Sequence, residues 1–163
     1  MPLDKFALRE RILGELRAAL ALQVGAAQLA RDEAISSESR AENQYDTHSL
    51  EAGYLAEGQA RQAAEIEESI AIIAALPLPE FGPAAPIALG ALIEVRDRTA
   101  GTNHGYFLCP RAGGLELEID GHSVLVVTPQ SPLGRVLLGQ RTGDIVQLPG
   151  RRPPAPSRIA SVR

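Results

Sequence analysis

The spacing of apolar positions changes once along this chain, and the change falls near a run of prolines. Over the first 76 residues apolar side chains recur every three or four positions. Phe6, Leu8, Ile12, Leu13, Leu16, Leu20, Val24 and Ala27 form one such series. That period predicts an amphipathic helix. Asp4, after Pro2-Leu3, is placed to cap its start. The helix is expected to run to about Ile35, where "SSES" interrupts it, because serines favour caps and turns over helix interiors. A second helical run is expected from about Ala41 to Leu76, with Leu55, Ala63, Ile66, Ile70 and Ile73 on one stripe. "ALPLP" ends it, since proline cannot continue a helix interior. Two helices of roughly 30 residues reach roughly 45 Å. A short connection makes them antiparallel neighbours. Gly14, Gly25, Gly53 and Gly58 weaken the pair, each by up to about 1 kcal/mol relative to alanine.

Residues 77–88 read as a proline-rich linker. Beyond it the period becomes two. "ALIEVRDR", "GYFLC", "LELEI", "HSVLVV", "DIVQL" and "RIASVR" each read as a short strand. Asp120-Gly121 between the third and fourth signals a type I′ hairpin. "PLGRVLLG" is short and apolar and fits one small helix. The expected architecture is α+β: a helical coiled-coil hairpin over residues 1–76, the linker, and a compact, curled antiparallel sheet with a helix against it over residues 89–163.

Composition narrows the chemistry. Aromatics make up only 4% of the chain, so the core has to be aliphatic. The single cysteine, Cys109, excludes an internal disulfide and follows an apolar strand, which predicts a buried, inert thiol. His48, His104 and His122 are scattered without metal-ligand spacing. No signal-like apolar run opens the chain, and no stretch approaches the roughly 18 apolar residues of a membrane span. A soluble, cytoplasmic protein that does not engage membranes is expected. The net charge of −4 is uneven: residues 1–76 hold 7 Lys/Arg against 13 Asp/Glu, and the rest holds 9 against 7. A net acidic chain argues against duplex DNA binding by the protein alone, which draws on Lys/Arg neutralising phosphates. A protein partner is the expectation.

The acids cluster at the bend. Glu38, Glu42 and Asp46 stand four apart in "SSESRAENQYDT". Carboxylates at a helix start are favoured by the helix dipole, so these could be solvated acids and nothing more. Arg31 and Arg40 flank them, placed either to touch nucleic-acid phosphates or to pair on the surface with Asp32 and Glu38.

One segment is more specific. Ser131-Pro132-Leu133-Gly134, then Leu137-Leu138-Gly139, then Gly143-Asp144-Ile145-Val146, resembles the C-terminal part of the bacterial transcript-cleavage (Gre) family of elongation factors. The resemblance implies an N-terminal antiparallel coiled coil and a C-terminal domain similar to FK506-binding proteins. It implies RNA polymerase as the partner, with nucleic acid (DNA and transcript) met only inside the elongation complex. The C-terminal domain is expected to dock at the entrance of the secondary channel through Ser131, Pro132, Leu133, Gly134 and Asp144. For Asp144, capping of its own turn is the other reading. The hairpin tip is expected to reach the active centre, where Glu42 and Glu38 help bind the polymerase's Mg²⁺, with Arg40 and Tyr45 near nucleic acid. No cofactor is expected on the protein alone, and it is not expected to be a free-standing enzyme. Glu42-Asn43 matches the family's tip motif, whereas Ser39 stands where the family has an aspartate, with Glu38 one residue earlier. Two alternatives stay open: a Gre-like modulator or inhibitor that binds polymerase without stimulating cleavage, and a peptidyl-prolyl isomerase suggested by the C-terminal fold. For the isomerase, only Tyr106 and Phe107 are available to build the aromatic pocket such a site needs.

Overall fold

The computed structural model describes residues 4–38, 48–98, 101–119, 121–150 and 156–163. Helix α1 runs Lys5–Glu38 and helix α2 runs His48–Ala74. Asp4 caps α1 as its position predicts: Oδ1 accepts from the Phe6 amide at 3.0 Å, and its carbonyl accepts from Leu8 N at 3.0 Å. Such a cap contributes about 1 kcal/mol. The first helix runs three residues beyond its expected end, through Ser36 and Ser37, because serine lowers helix propensity without forbidding helix.

By contacts the chain forms two compact units, Met1–Ile12 with Ile72–Arg163, and Leu13–Ala71. The first unit takes in the base of the hairpin. There Leu8, Ile12, Ile73 and Leu76 are buried. Arg9 Nη1 donates to the carbonyl of Leu76 at 3.3 Å, so the start of α1 lies beside the end of α2 and the helices are antiparallel there. Lys5 donates to the Pro79 carbonyl, and its ammonium sits 5.2 Å from the centre of the Phe81 ring. Burial lowers the Lys5 pKa from its usual value, opposed by the charge of Glu80.

In the second unit the buried apolar side chains are few and mostly small: Leu13, Ala30 and Ala63 among the described residues. Val24 and Leu55 of this unit, expected on the buried stripes, are instead 51% and 54% exposed, as is Phe6 of the first unit at 57%. A two-helix hairpin has no third layer, so it covers only a narrow face of each helix. Val24 lies about 100° round the helix from Gln23, off that face.

The remaining elements form one open six-stranded sheet and a short helix. They are β1 (Leu92–Asp97), β2 (Asn103–Leu108), β3 (Glu116–Ile119), β4 (His122–Val127), α3 (Pro132–Leu137), β5 (Ile145–Gln147) and β6 (Pro156–Val162). Every element read from the period of two is present. The strand order is β3-β4-β2-β1-β6-β5. The sheet is mixed, which corrects the expectation of an antiparallel one: β2 and β4 run parallel, with Phe107 opposite Val126, while the other pairs are antiparallel. Alternation within short strands does not encode direction. Residues 109–121 carry β3 to the sheet edge and form the long crossover that a parallel pair requires. The β3–β4 hairpin pairs Ile119 with His122, and Gly121 sits at φ +77°. Asp120 lies outside the described residues.

One face of the sheet, with Ile93, Val95, Tyr106, Leu108, Ile159 and Val162, packs with Leu137 of α3 and with Ile87, Val146 and Leu148 into the core. Burying a side chain such as Leu137 contributes about 1.5–3 kcal/mol. The alternate residues Leu92, Phe107, Val124 and Val126 are buried as well.

Candidate functional site

Of the tip residues, Glu38 is the last residue of α1. Glu42, Arg40, Tyr45 and Asp46 lie outside the described residues. What the helices establish is where the acidic segment falls in the chain, between the end of one helix and the start of the next. Nearby, Asp32 Oδ1 accepts from Gln28 Nε2 at 2.8 Å, so its partner is Gln28 rather than Arg31.

The segment after β4 is fully described. Ser131, extended at φ −66° and ψ 153°, caps α3: its Oγ accepts from Gly134 N at 3.0 Å and donates to the Thr128 carbonyl at 2.7 Å. Pro132 occupies the first turn, where its missing N–H costs nothing. Gly134 is buried against the same carbonyl. A Cβ there would stand 1.9 Å from Thr128 O, so no side chain fits. Leu138 leaves the helical conformation (ψ 129°) and Gly139 turns the chain at φ +79°. The Gly139 amide then donates to Ile87 O, and Ile87 N to Gln140 O, tying the linker to the end of the helix. Gly143 adopts φ +98°, and the Asp144 carboxylate accepts from Arg141 N at 2.7 Å, closing that turn.

Of the five residues expected at a contact, Ser131, Leu133, Gly134 and Asp144 therefore have work inside the fold. Leu133 packs on the core, while Pro132 is exposed. Around them are exposed side chains the sequence reading did not single out, some at α3 and others on β5 and β6, where Ile145 points to the sheet face opposite its neighbour Val146. Leu138 and Ile145 are 44% and 51% exposed, and Arg135, Arg141 and Arg158 are exposed along the same segments. Ile145 and Arg158 are directly paired across β5 and β6.

A hollow of about 450 Å³ lies on the sheet, bordered by β1, β2, β4 and Arg163. Gly105, paired with Glu94 on one side and Val124 on the other, carries no side chain to fill it. Several of its polar groups satisfy one another, while the buried Nε of Arg163 has no hydrogen-bond partner. Glu94 accepts from Asn103 Nδ2 at 2.7 Å and Ser161 Oγ at 3.4 Å, Glu116 from Ser123 Oγ at 2.8 Å, and His104 Nε2 lies 3.2 Å from Thr102 Oγ1. Tyr106 and Phe107 are strand neighbours on opposite faces, so they do not share an aromatic pocket. Among the described residues, no group of three or more His, Cys, Asp or Glu is placed to hold a metal ion. No described helix is long and apolar enough to cross a membrane. Burial raises the pKa of the Cys109 thiol, against the lowering effect of a backbone hydrogen bond at Arg111.

No family model and no curated protein matches the chain. Among solved structures it matches the GreA factor homologue Gfh1 of Thermus thermophilus at 22% identity, covering 93% of this chain and 94% of that one, with a TM-score of 0.42. Gfh1 of Thermus aquaticus matches at 23% identity over 92% of each chain, with a TM-score of 0.43. The elongation factor GreA/GreB of Nitrosomonas europaea matches at 19% identity over 60% of this chain and 78% of that one, with a TM-score of 0.38. These solved structures are of Gfh1, a GreA factor homologue, and of a GreA/GreB transcription elongation factor.

Proposed function

We propose that this chain is a transcription elongation factor that binds RNA polymerase. Residues 89–163 dock it, residues 77–88 link, and the hairpin of residues 1–76 carries the acidic tip into the secondary channel to stimulate cleavage of backtracked transcripts. The observation that carries the reading is the Ser131–Val146 segment. Its motif residues are those the local backbone demands: a cap at Ser131, a glycine against Thr128 O at 134, and left-handed glycines at 139 and 143. Around them Leu138 and Arg135 are exposed at α3, while Ile145 and Arg158 are exposed as a pair on β5 and β6. A resemblance placed on residues with those separate requirements is hard to produce by shared composition.

In this reading the protein has no active centre of its own. Glu42, with Glu38 beside it, supplies hard carboxylate oxygens to a Mg²⁺ held mainly by the polymerase, since that ion keeps most of its ligands as phosphates and waters. Arg40 and Tyr45 stand near nucleic acid. Ser39 favours a second reading. Without the family's aspartate the tip brings one fewer motif carboxylate, and the protein would then modulate or inhibit the channel without cleavage.

The test is RNA cleavage in stalled, backtracked elongation complexes, with wild type and Glu42→Ala, and polymerase binding measured alongside. Shortened RNA with wild type and none with the variant, at equal binding, supports the cleavage reading. Binding of both without any cleavage leaves the modulator. Absence of binding by wild type removes both.

A further inference from the structure

We propose that the helical hairpin carries a joint at the level of Gln23 and Gln59, where its two helices separate or bend more readily than in the turns on either side. The level follows from the helix ends. Helix α1 stops at Glu38 and α2 starts at His48, so in an antiparallel hairpin residues whose numbers sum to about 86 stand opposite one another. At 1.5 Å per residue, Gln23 and Gly25 of α1 and Gly58 and Gln59 of α2 fall within about 8 Å along the axis.

Three independent features meet there. First, Gln23 Oε1 and Gln59 Oε1 are both buried without a hydrogen-bond partner. An acceptor removed from water and left unpaired favours any opening that rehydrates it. Second, Gly25 and Gly58 are helix-interior glycines, and nothing lies within 4 Å of where a Cβ would stand at either. No close packing requires them, so their effect here is to loosen both helices at one level. Third, little apolar contact compensates. Level with Gln23 the buried partner is only the methyl of Ala63, while Leu22 and Val24 are 76% and 51% exposed. Gly14 has equal space around it, but it follows Leu13, which is 2% exposed, and the orphaned atom nearest its level, Arg9 Nε, belongs to a guanidinium held by the Leu76 carbonyl among buried Leu8, Ile12 and Ile73.

Opening at this layer lets the segment beyond it, which includes the acidic bend, change direction while the base of the hairpin stays folded. The inference rests on the hairpin alone and stands or falls apart from the polymerase reading.

The experiment is residue-resolved amide hydrogen exchange on the full chain without polymerase, corrected for intrinsic rates. Amides of residues 22–28 and 55–61 should exchange about tenfold faster than those of 8–16 and 66–73, as a distinct step. Gln23→Leu with Gln59→Leu should slow exchange in those two stretches, leaving the amides of β1 and β2 unchanged. Gly25→Ala and Gly58→Ala should each slow it about fivefold. Uniform protection along the hairpin overturns the proposal. So does a smooth gradient from the bend with no step, or exchange that neither pair of substitutions alters.

Discussion

Gly134→Ala is the sharpest single-atom perturbation the fold offers. The added methyl would stand 1.9 Å from the Thr128 carbonyl oxygen and 2.7 Å from its carbon, both backbone atoms. Ordinary contact begins near 3.4 Å, so one backbone segment has to retreat by more than 1 Å. Thr128 O is not free to move: it accepts from Ser131 N at 3.0 Å and Ser131 Oγ at 2.7 Å. Retreat of α3 breaks those bonds and the cap from Ser131 Oγ to Gly134 N. Overpacking alone costs about 1–3 kcal/mol, and the cap about 1 kcal/mol more, so a loss of about 3 kcal/mol is expected. Ser131→Ala removes only the cap and its bond to Thr128, for about 1–2 kcal/mol. Urea unfolding reads both, with Tyr45 and Tyr54 replaced by phenylalanine so that Tyr106, in the sheet core, is the only tyrosine reporter. A Gly134→Ala protein within about 0.5 kcal/mol of its parent would refute the structural role argued here. If it also lost polymerase binding, Gly134 would instead face the partner directly, as the motif taken alone implies.

Other expectations follow from the base of the hairpin and the sheet. Lys5→Met removes the bond to the Pro79 carbonyl and the ammonium over Phe81, for a loss of about 1–2 kcal/mol in urea unfolding. Because burial depresses the Lys5 pKa, the unfolded chain holds this proton more tightly, and the wild type should gain stability relative to Lys5→Met as pH rises towards 10.5; a flat or falling difference contradicts the burial argument. Cys109 is fully buried with its thiol pKa raised, so an aromatic disulfide reagent should titrate no thiol in the native protein and one per chain in denaturant. Rapid labelling of native protein would show that the end of β2 is open.

Most of the fold was legible because periodicity reports burial directly. β3, β5 and β6 alternate buried and exposed side chains, the ends of β1, β2 and β4 are apolar runs buried on both faces, and both patterns are readable as strand. What alternation does not carry is direction. The parallel β2–β4 pair was invisible because it depends on a crossover of residues 109–121, a long-range choice. The hairpin was legible as helix but not as packing. Val24 and Leu55 fit the period yet meet no opposing layer. The site was legible as a motif and not as a surface. Ser131, Gly134 and Asp144 stood out because their backbone roles constrain residue type. Leu138 and Ile145 are exposed within short apolar runs, which do not mark the side chain that faces outward. The joint at Gln23 and Gln59 was hidden for a similar reason: a glutamine in a helical stripe reads as surface until its partner helix is known.

The central claim is polymerase binding through exposed side chains of the Ser131–Val146 segment, at the end of α3 or on β5. The most direct test is equilibrium binding of the fluorescently labelled protein to purified RNA polymerase, wild type against Leu138→Asp and Ile145→Asp, with folding checked by urea unfolding. These side chains are 44% and 51% exposed, so each substitution should cost about 1 kcal/mol and leave the protein folded. The account predicts saturable binding by wild type and a loss of about tenfold or more in Leu138→Asp, in Ile145→Asp or in both, since a carboxylate placed against a desolvated partner surface goes unpaired. Wild type that does not bind, or two variants that both bind as tightly as wild type, would contradict it.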